Sequence, residues 1–183
     1  VPEAEPDTQL ETKKASRHPD RLTALASGFV ALMALAVSSY NVVLQRQQLK
    51  AQTWPHLEWS YSNGYADKFT FSLANTGTGP AKIQSVLVTL DGKPVSTWKE
   101  AVNQIAPSLT QGYSGIGGRV LGAGVEINPL TLTPHPSKDE ETALLKRLDV
   151  QLCYCSVLGD CWLLAEDEKP VEKCPKYPHP FQQ

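Results

Sequence analysis

Residues 22–44 (LTALASGFVALMALAVSSYNVVL) contain no Asp, Glu, Lys, Arg or His. Their apolar side chains fall on every face of a helix, which the one-sided stripe of a soluble amphipathic helix does not explain. An uncharged apolar run of this length spans the hydrocarbon core of a bilayer as one helix of about 20 residues. In that medium each backbone N–H and C=O needs an internal partner, and one continuous helix supplies them all. The chain therefore reads as a short tail, a single membrane helix and one folded domain beyond it, with the lipid bilayer as its first partner through residues 22–44.

Of the 183 residues, about 130 remain after the tail and the helix, the size of one ordinary domain. Lys13, Lys14, Arg17 and Arg21 precede the apolar run, and only Arg46 and Lys50 follow closely. The positive-inside rule then puts the N-terminus in the cytoplasm and the C-terminal domain outside. All four cysteines lie after residue 150, a clustering that suits an oxidising compartment. The absence of an Asn-x-Ser/Thr sequon after the run favours a bacterial periplasm over a secretory lumen. The expected location is the bacterial inner membrane, single-pass, with a periplasmic domain. A cleaved signal peptide has an apolar stretch of only about 7–15 residues followed by small residues. Here the run is longer and leads into Gln45-Arg46-Gln47-Gln48, so a signal anchor is expected.

Residues 1–20 are polar, mixed in charge and without apolar periodicity, which predicts a disordered cytoplasmic tail. Asp20 is placed to cap a helix that begins at Arg21. That helix is expected over 21–53, with its span at 22–44, and to stop before Pro55. Within the span, Ala24 and Gly28, Ser27 and Ala31, and Ala34 and Ser38 are each four apart. Small residues at this spacing let two helices approach closely. Ala24, Gly28, Ala31 and Ser38 are therefore the candidate helix-packing positions, toward another membrane protein or a second copy of the chain.

From Pro55 the hydrophobic period changes to two. Leu57, Trp59 and Tyr61 alternate with polar residues, Asn63-Gly64 supplies a turn, and Phe69, Phe71 and Leu73 alternate again. A further strand is expected over 83–90 with Val86, Val88 and Leu90 inward. Asp91-Gly92 is a hairpin signal, and Pro94 marks the returning strand as an edge. Residues 98–104 read as a short helix, and the glycine-rich segment 112–124 as a flexible connection between strands. A strand follows at 125–132. Ser137 and Glu140 form a capping box for a helix with acids in its first turn and Lys146-Arg147 in its last. Leu148, Val150, Leu152 and Tyr154 then line one face of another strand. Many short strands with Gly/Pro turns and one or two small helices predict a mainly β chain, with a β-sandwich over 54–168 and a Pro-rich tail at 169–183.

Cys153, Cys155 and Cys161 fall on a predicted hairpin. If its loop is the three residues 157–159, Cys155 faces Cys161 directly, at a separation a disulfide can close. Cys153 is then left for Cys174, arriving from the tail. Four cysteines allow three pairings, and the favoured set is Cys155 with Cys161 and Cys153 with Cys174. The rival is a zinc site of all four. Its spacings, C-x-C, C-x5-C and C-x12-C, depart from the two to four intervening residues usual in structural zinc sites.

Catalytic motifs are missing from the sequence. His18, His56, His135 and His179 are isolated from one another, each beside a proline. The segment 112–124 lacks the G-K-[ST] ending of a phosphate loop. Ser114 and Ser156 have no nucleophile-elbow context. With a formal charge of −2 and scattered basic residues, nucleic-acid binding has no support. No catalytic residue, metal or cofactor is expected.

Several segments together resemble a pattern in uncharacterised bacterial single-span membrane proteins. They are Asn75-x-Gly77-x-Gly79-Pro80-Ala81, Asp91-Gly92-Lys93-Pro94-Val95, Gly118-Arg119-Val120-Leu121-x-Ala123-Gly124, and the hairpin from Tyr154-Cys155-Ser156 to Cys161-Trp162. The resemblance covers about residues 50–165. It implies an N-terminal anchor followed by an immunoglobulin-like periplasmic domain, and it brings no catalytic residues. The expected function is a membrane-anchored periplasmic binding or accessory subunit without catalysis of its own. A self-assembling structural subunit and an envelope-acting enzyme are the alternatives.

Overall fold

Residues 22–44 become helical because nothing in them breaks a helix and no alternation favours a strand. The computed structural model describes residues 17–64, 67–178 and 180–182, and divides the chain into two units, Val1–Arg46 and Gln47–Gln183. α1 (Arg17–Gln52) is 36 residues long. It is long and apolar enough to cross a membrane. Its large apolar side chains, Leu22, Leu25, Phe29, Leu32 and Leu35 among them, are exposed. The helix starts four residues before the expected Arg21, so residues 17–20 are helical and Asp20 lies inside the first turns. Pro19 permits this, because a first-turn N–H has no intrahelical partner to lose. Residues 1–16, the rest of the expected tail, lie outside the described residues.

In chain order the second unit continues through β1 (Leu57–Gly64), β2 (Lys68–Asn75), β3 (Ala81–Leu90), β4 (Lys93–Val95), α2 (Trp98–Asn103), β5 (Thr110–Tyr113), β6 (Val120–Leu121), β7 (Glu126–Thr133), α3 (Lys138–Arg147), β8 (Leu148–Cys155), β9 (Cys161–Leu164) and β10 (Glu168–Val171). One sheet has the order β1-β2-β7-β5; the other runs β10-β9-β8-β3-β4, with β6 also paired to β3. All pairings are antiparallel. With β1, β2, β7 and β5 taken as strands A, B, E and D, and β9, β8, β3 and β4 as G, F, C and C′, this is the immunoglobulin-like connectivity. β10 extends the second sheet by one strand beyond G. Phe69, Phe71, Leu73, Leu130 and Leu132 from one sheet meet Ile83, Val88, Leu152 and Tyr154 from the other in one core. Trp98 of α2 and Leu144 of α3 are also fully buried in it.

Asn63-Gly64 is not the turn. Both residues belong to the end of β1, opposite Phe69 and Lys68. A two-residue turn there would set odd-numbered residues of β1 against even-numbered ones of β2, turning one strand's apolar set away from the core. The observed register puts Leu57, Trp59 and Tyr61 opposite Asn75, Leu73 and Phe71. By contrast, Asp91 and Gly92 adopt φ of 52° and 74°, the backbone a two-residue type I′ turn requires. Ser137 and Glu140 exchange both bonds of a capping box at the start of α3. The segment 112–124 is more regular than its composition suggests, since it holds the end of β5 and all of β6. Backbone pairing with β7 and β3 needs no side-chain pattern. The expected tail boundary at residue 168 falls inside β10, where Pro170 pairs opposite Trp162. On an outer strand its missing N–H breaks no ladder.

The boundary expected at 53/54 also moves, because residues 47–52 belong to the sandwich unit. The loop 75–80 grips residues 51–56. Thr78 Oγ1 donates to Ala51 O at 2.9 Å, and the N–H groups of Thr78 and Gly79 donate to Trp54 O at 2.8 and 3.1 Å. A Cβ on Gly77 would collide with the backbone of residues 54–56, and one on Gly79 with Thr53, so the close approach needs glycine at both positions. Asn75, buried to 1% exposure, ties the loop together. Its Nδ2 donates to Gly79 O and Leu121 O, both at 2.9 Å. Its Oδ1 accepts from the N–H groups of His56 at 3.2 Å and Gly77 at 3.1 Å.

Asn75→Asp keeps the size but replaces both donors with an acceptor facing two carbonyl oxygens. It is expected to cost about 3 kcal/mol, read as a lowered urea midpoint of the full chain in detergent.

Candidate functional site

The β8–β9 hairpin is built by its loop. Ser156 N donates to Asp160 O at 2.8 Å and Gly159 N to Ser156 O at 3.1 Å. Gly159, with φ of 88°, sits in the left-handed position that a three-residue hairpin loop requires. The buried Ser156 hydroxyl accepts from Leu158 N and Asp160 N at 3.2 and 3.3 Å, so it is spent on holding the turn.

This register sets Cys155 opposite Cys161. The structure brings those two sulfurs to bonding distance, and likewise Cys153 and Cys174. The pairs are packed side by side: Cys155 Sγ is 3.8 Å from Cys174 Sγ, and the sulfurs of Cys155, Cys161 and Cys174 lie within 4.8 Å of one another. Sulfurs joined in disulfides offer no thiolate, the form a metal binds. Beyond Cys174 the tail lies back on the domain, with the Phe181 ring 4.9 Å from Trp98 and Gln182 N donating to Ser96 O at 2.7 Å.

Beside the hairpin is a cleft of about 730 Å³, lined by Lys50, Trp54, Asp160, Trp162, Pro170 and Glu172 among others. That volume falls within the range of about 300–1,000 Å³ typical of ligand sites. Lys50 Nζ meets Asp160 Oδ1 at 2.9 Å across an exposed pair. Trp162 stacks on Tyr154 with centroids 5.8 Å apart, and Trp54 on His56 at 5.3 Å. Both indoles present apolar ring surface to the cleft.

A polar chain runs close by. The Tyr154 hydroxyl donates to Glu168 Oε1 at 2.6 Å and accepts from Leu57 N at 3.3 Å. Glu168 Oε2 is also 2.6 Å from His56 Nδ1, though not aligned with it for a hydrogen bond. Burial, and then the hydrogen bond to Glu168, push the Tyr154 phenol well above its ordinary value near 10. His56 and Glu168 are 112 positions apart, so no local spacing could have linked them. Lys50 with Asp160 was equally out of reach of pattern reading. His135 lies elsewhere, its Nδ1 2.8 Å from Pro136 O. His179 and the side chain of His18 lie outside the described residues.

Ala24, Gly28, Ala31 and Ser38 are exposed positions on α1, and their spacing puts them along one face. No known family model matches this chain, and no curated protein matches it significantly. What the cleft offers chemically is stacking surface, one ion pair and the Glu172 carboxylate. Its one hydroxyl-bearing lining residue, Ser156, is already committed to the turn.

Replacing both Cys153 and Cys174 with Ser opens a loop of separation 21, against 6 for Cys155 with Cys161. Chain entropy puts the losses at about 3 and about 2 kcal/mol respectively, measurable by urea unfolding of the two double variants. The raised Tyr154 pKa contributes stability that is complete below the unfolded value near 10 and is lost as pH rises toward the folded one. The urea midpoint is therefore expected to fall as pH rises above about 10, with a shallower fall in Tyr154→Phe.

Proposed function

We propose that the chain is a membrane-anchored accessory subunit of the bacterial inner membrane, with the N-terminus cytoplasmic and the immunoglobulin-like domain periplasmic. The domain binds a partner in the same envelope and carries out no chemistry of its own. The observation that carries this reading is the cleft at Trp54 and Trp162, with two indoles and an ion pair among its lining residues. Stacked aromatic surface with a polar rim is how binding sites are built. The clustered disulfides support an oxidising compartment, and the charge asymmetry about residues 22–44 supports the orientation. The resemblance to bacterial single-span proteins with an immunoglobulin-like domain agrees with it.

A photo-cross-linking residue at position 162 in the full chain is expected to give a discrete adduct with a second polypeptide in intact cells. The adduct should disappear when Trp54→Ala is added. A reporter enzyme active only outside the cytoplasm should work when fused to the C-terminus. No adduct from position 162, or an inactive C-terminal fusion, would remove the corresponding half of the reading.

A further inference from the structure

We propose that the tip of the β8–β9 hairpin, with Trp54 beside it, rests in the headgroup–acyl boundary of the bilayer that α1 crosses. This inference rests on the reading of α1 as a membrane span. Tight turns on soluble domains favour Gly, Pro, Asn, Asp and Ser. Here the two loop positions before Gly159 are Val157 and Leu158, 64% and 48% exposed. The loop's own hydrogen bonds hold them in place, with Ser156 at the centre. The tip is tied to Lys50 through Asp160 at 2.9 Å. Lys50 follows the last residue of the apolar run by six positions, about 20 Å of chain at most. Trp54, 44% exposed, lines the same cleft as Gly159 and Asp160.

The combination matches what an interface selects: aliphatic side chains at the boundary and an indole at headgroup level. Lys50 also balances Asp160, the acid nearest the tip, whose charge would otherwise oppose an anionic surface. A protein partner fits this tip less well. Two side chains on one turn fall far short of the roughly 800 Å² per partner of a stable protein interface. Lipid needs no such area, because the tether supplies a high local concentration.

The test uses the full chain in vesicles with lipids brominated near the headgroup. With Trp54→Phe and Trp162→Phe in both variants, an indole introduced by Leu158→Trp is expected to be quenched at least about threefold more than one introduced by Tyr113→Trp, on the outer strand of the other sheet. Charging the neighbouring position with Val157→Asp should abolish that difference, while both disulfides and carbonate-resistant membrane association are retained. Equal quenching at 158 and 113 in a carbonate-resistant chain overturns the lipid contact and leaves the span intact. Release of the chain by carbonate overturns both. An indole at 158 shielded from aqueous iodide yet untouched by bromolipid assigns the tip to protein and overturns the lipid assignment.

Discussion

Asn75 is the knot of the sandwich unit. Both its amide donors and its carbonyl are engaged, on backbone groups of four residues, Gly79, Leu121, His56 and Gly77. A buried amide with all its capacity met gains from the low dielectric around it, whereas the same group half-satisfied would be a liability. Those four residues come from the approach to β1, the loop after β2 and strand β6. One side chain therefore fixes how the chain enters its first strand and how the loop that grips residues 51–56 is shaped. Gly77 and Gly79 are required for the same reason: backbone meets backbone there, leaving no room for a Cβ.

What was legible in the sequence was local. The absence of charge over 22–44, the Asp91-Gly92 turn, the Ser137 capping box and the alternation of Phe69, Phe71 and Leu73 are each decided within a few residues, by period or by φ preference. The mainly β architecture followed from them. The structure departs from the local signals where a long-range condition outweighs them. Asn63-Gly64 is good turn chemistry, but the register that keeps both apolar faces inward moves the turn beyond it. Pro170 reads as an end to regular structure, yet at the rim of a sheet it costs nothing. β5 carries no apolar alternation and is held to β7 through its backbone, while β6 is two residues long, too short to show a period even though Leu121 is buried in the core.

The candidate site was hardest to see for the same reason. Trp54, Trp162, Lys50, Asp160 and Glu172 come from three separate stretches, and nothing in any one of them signals the others. The cysteines were the exception, because a hairpin with a three-residue loop places positions 155 and 161 opposite each other by simple counting. Even there the 3.8 Å approach of Cys155 to Cys174 had no trace in the spacing. Tyr154 shows how the two faces of β8 divide the work: its ring lies in the core, while the flanking Cys153 and Cys155 on the other face are joined to the tail and to β9.

Both rims of the larger sheet carry a proline, Pro94 on β4 and Pro170 on β10. A rim strand normally displays a row of free donors and acceptors that can recruit a strand from another molecule. Each proline deletes a donor from that row. Copies crowded together in one plane would thus be discouraged from zipping into a continuous sheet across this layer, and any assembly they form is steered toward side-chain surfaces.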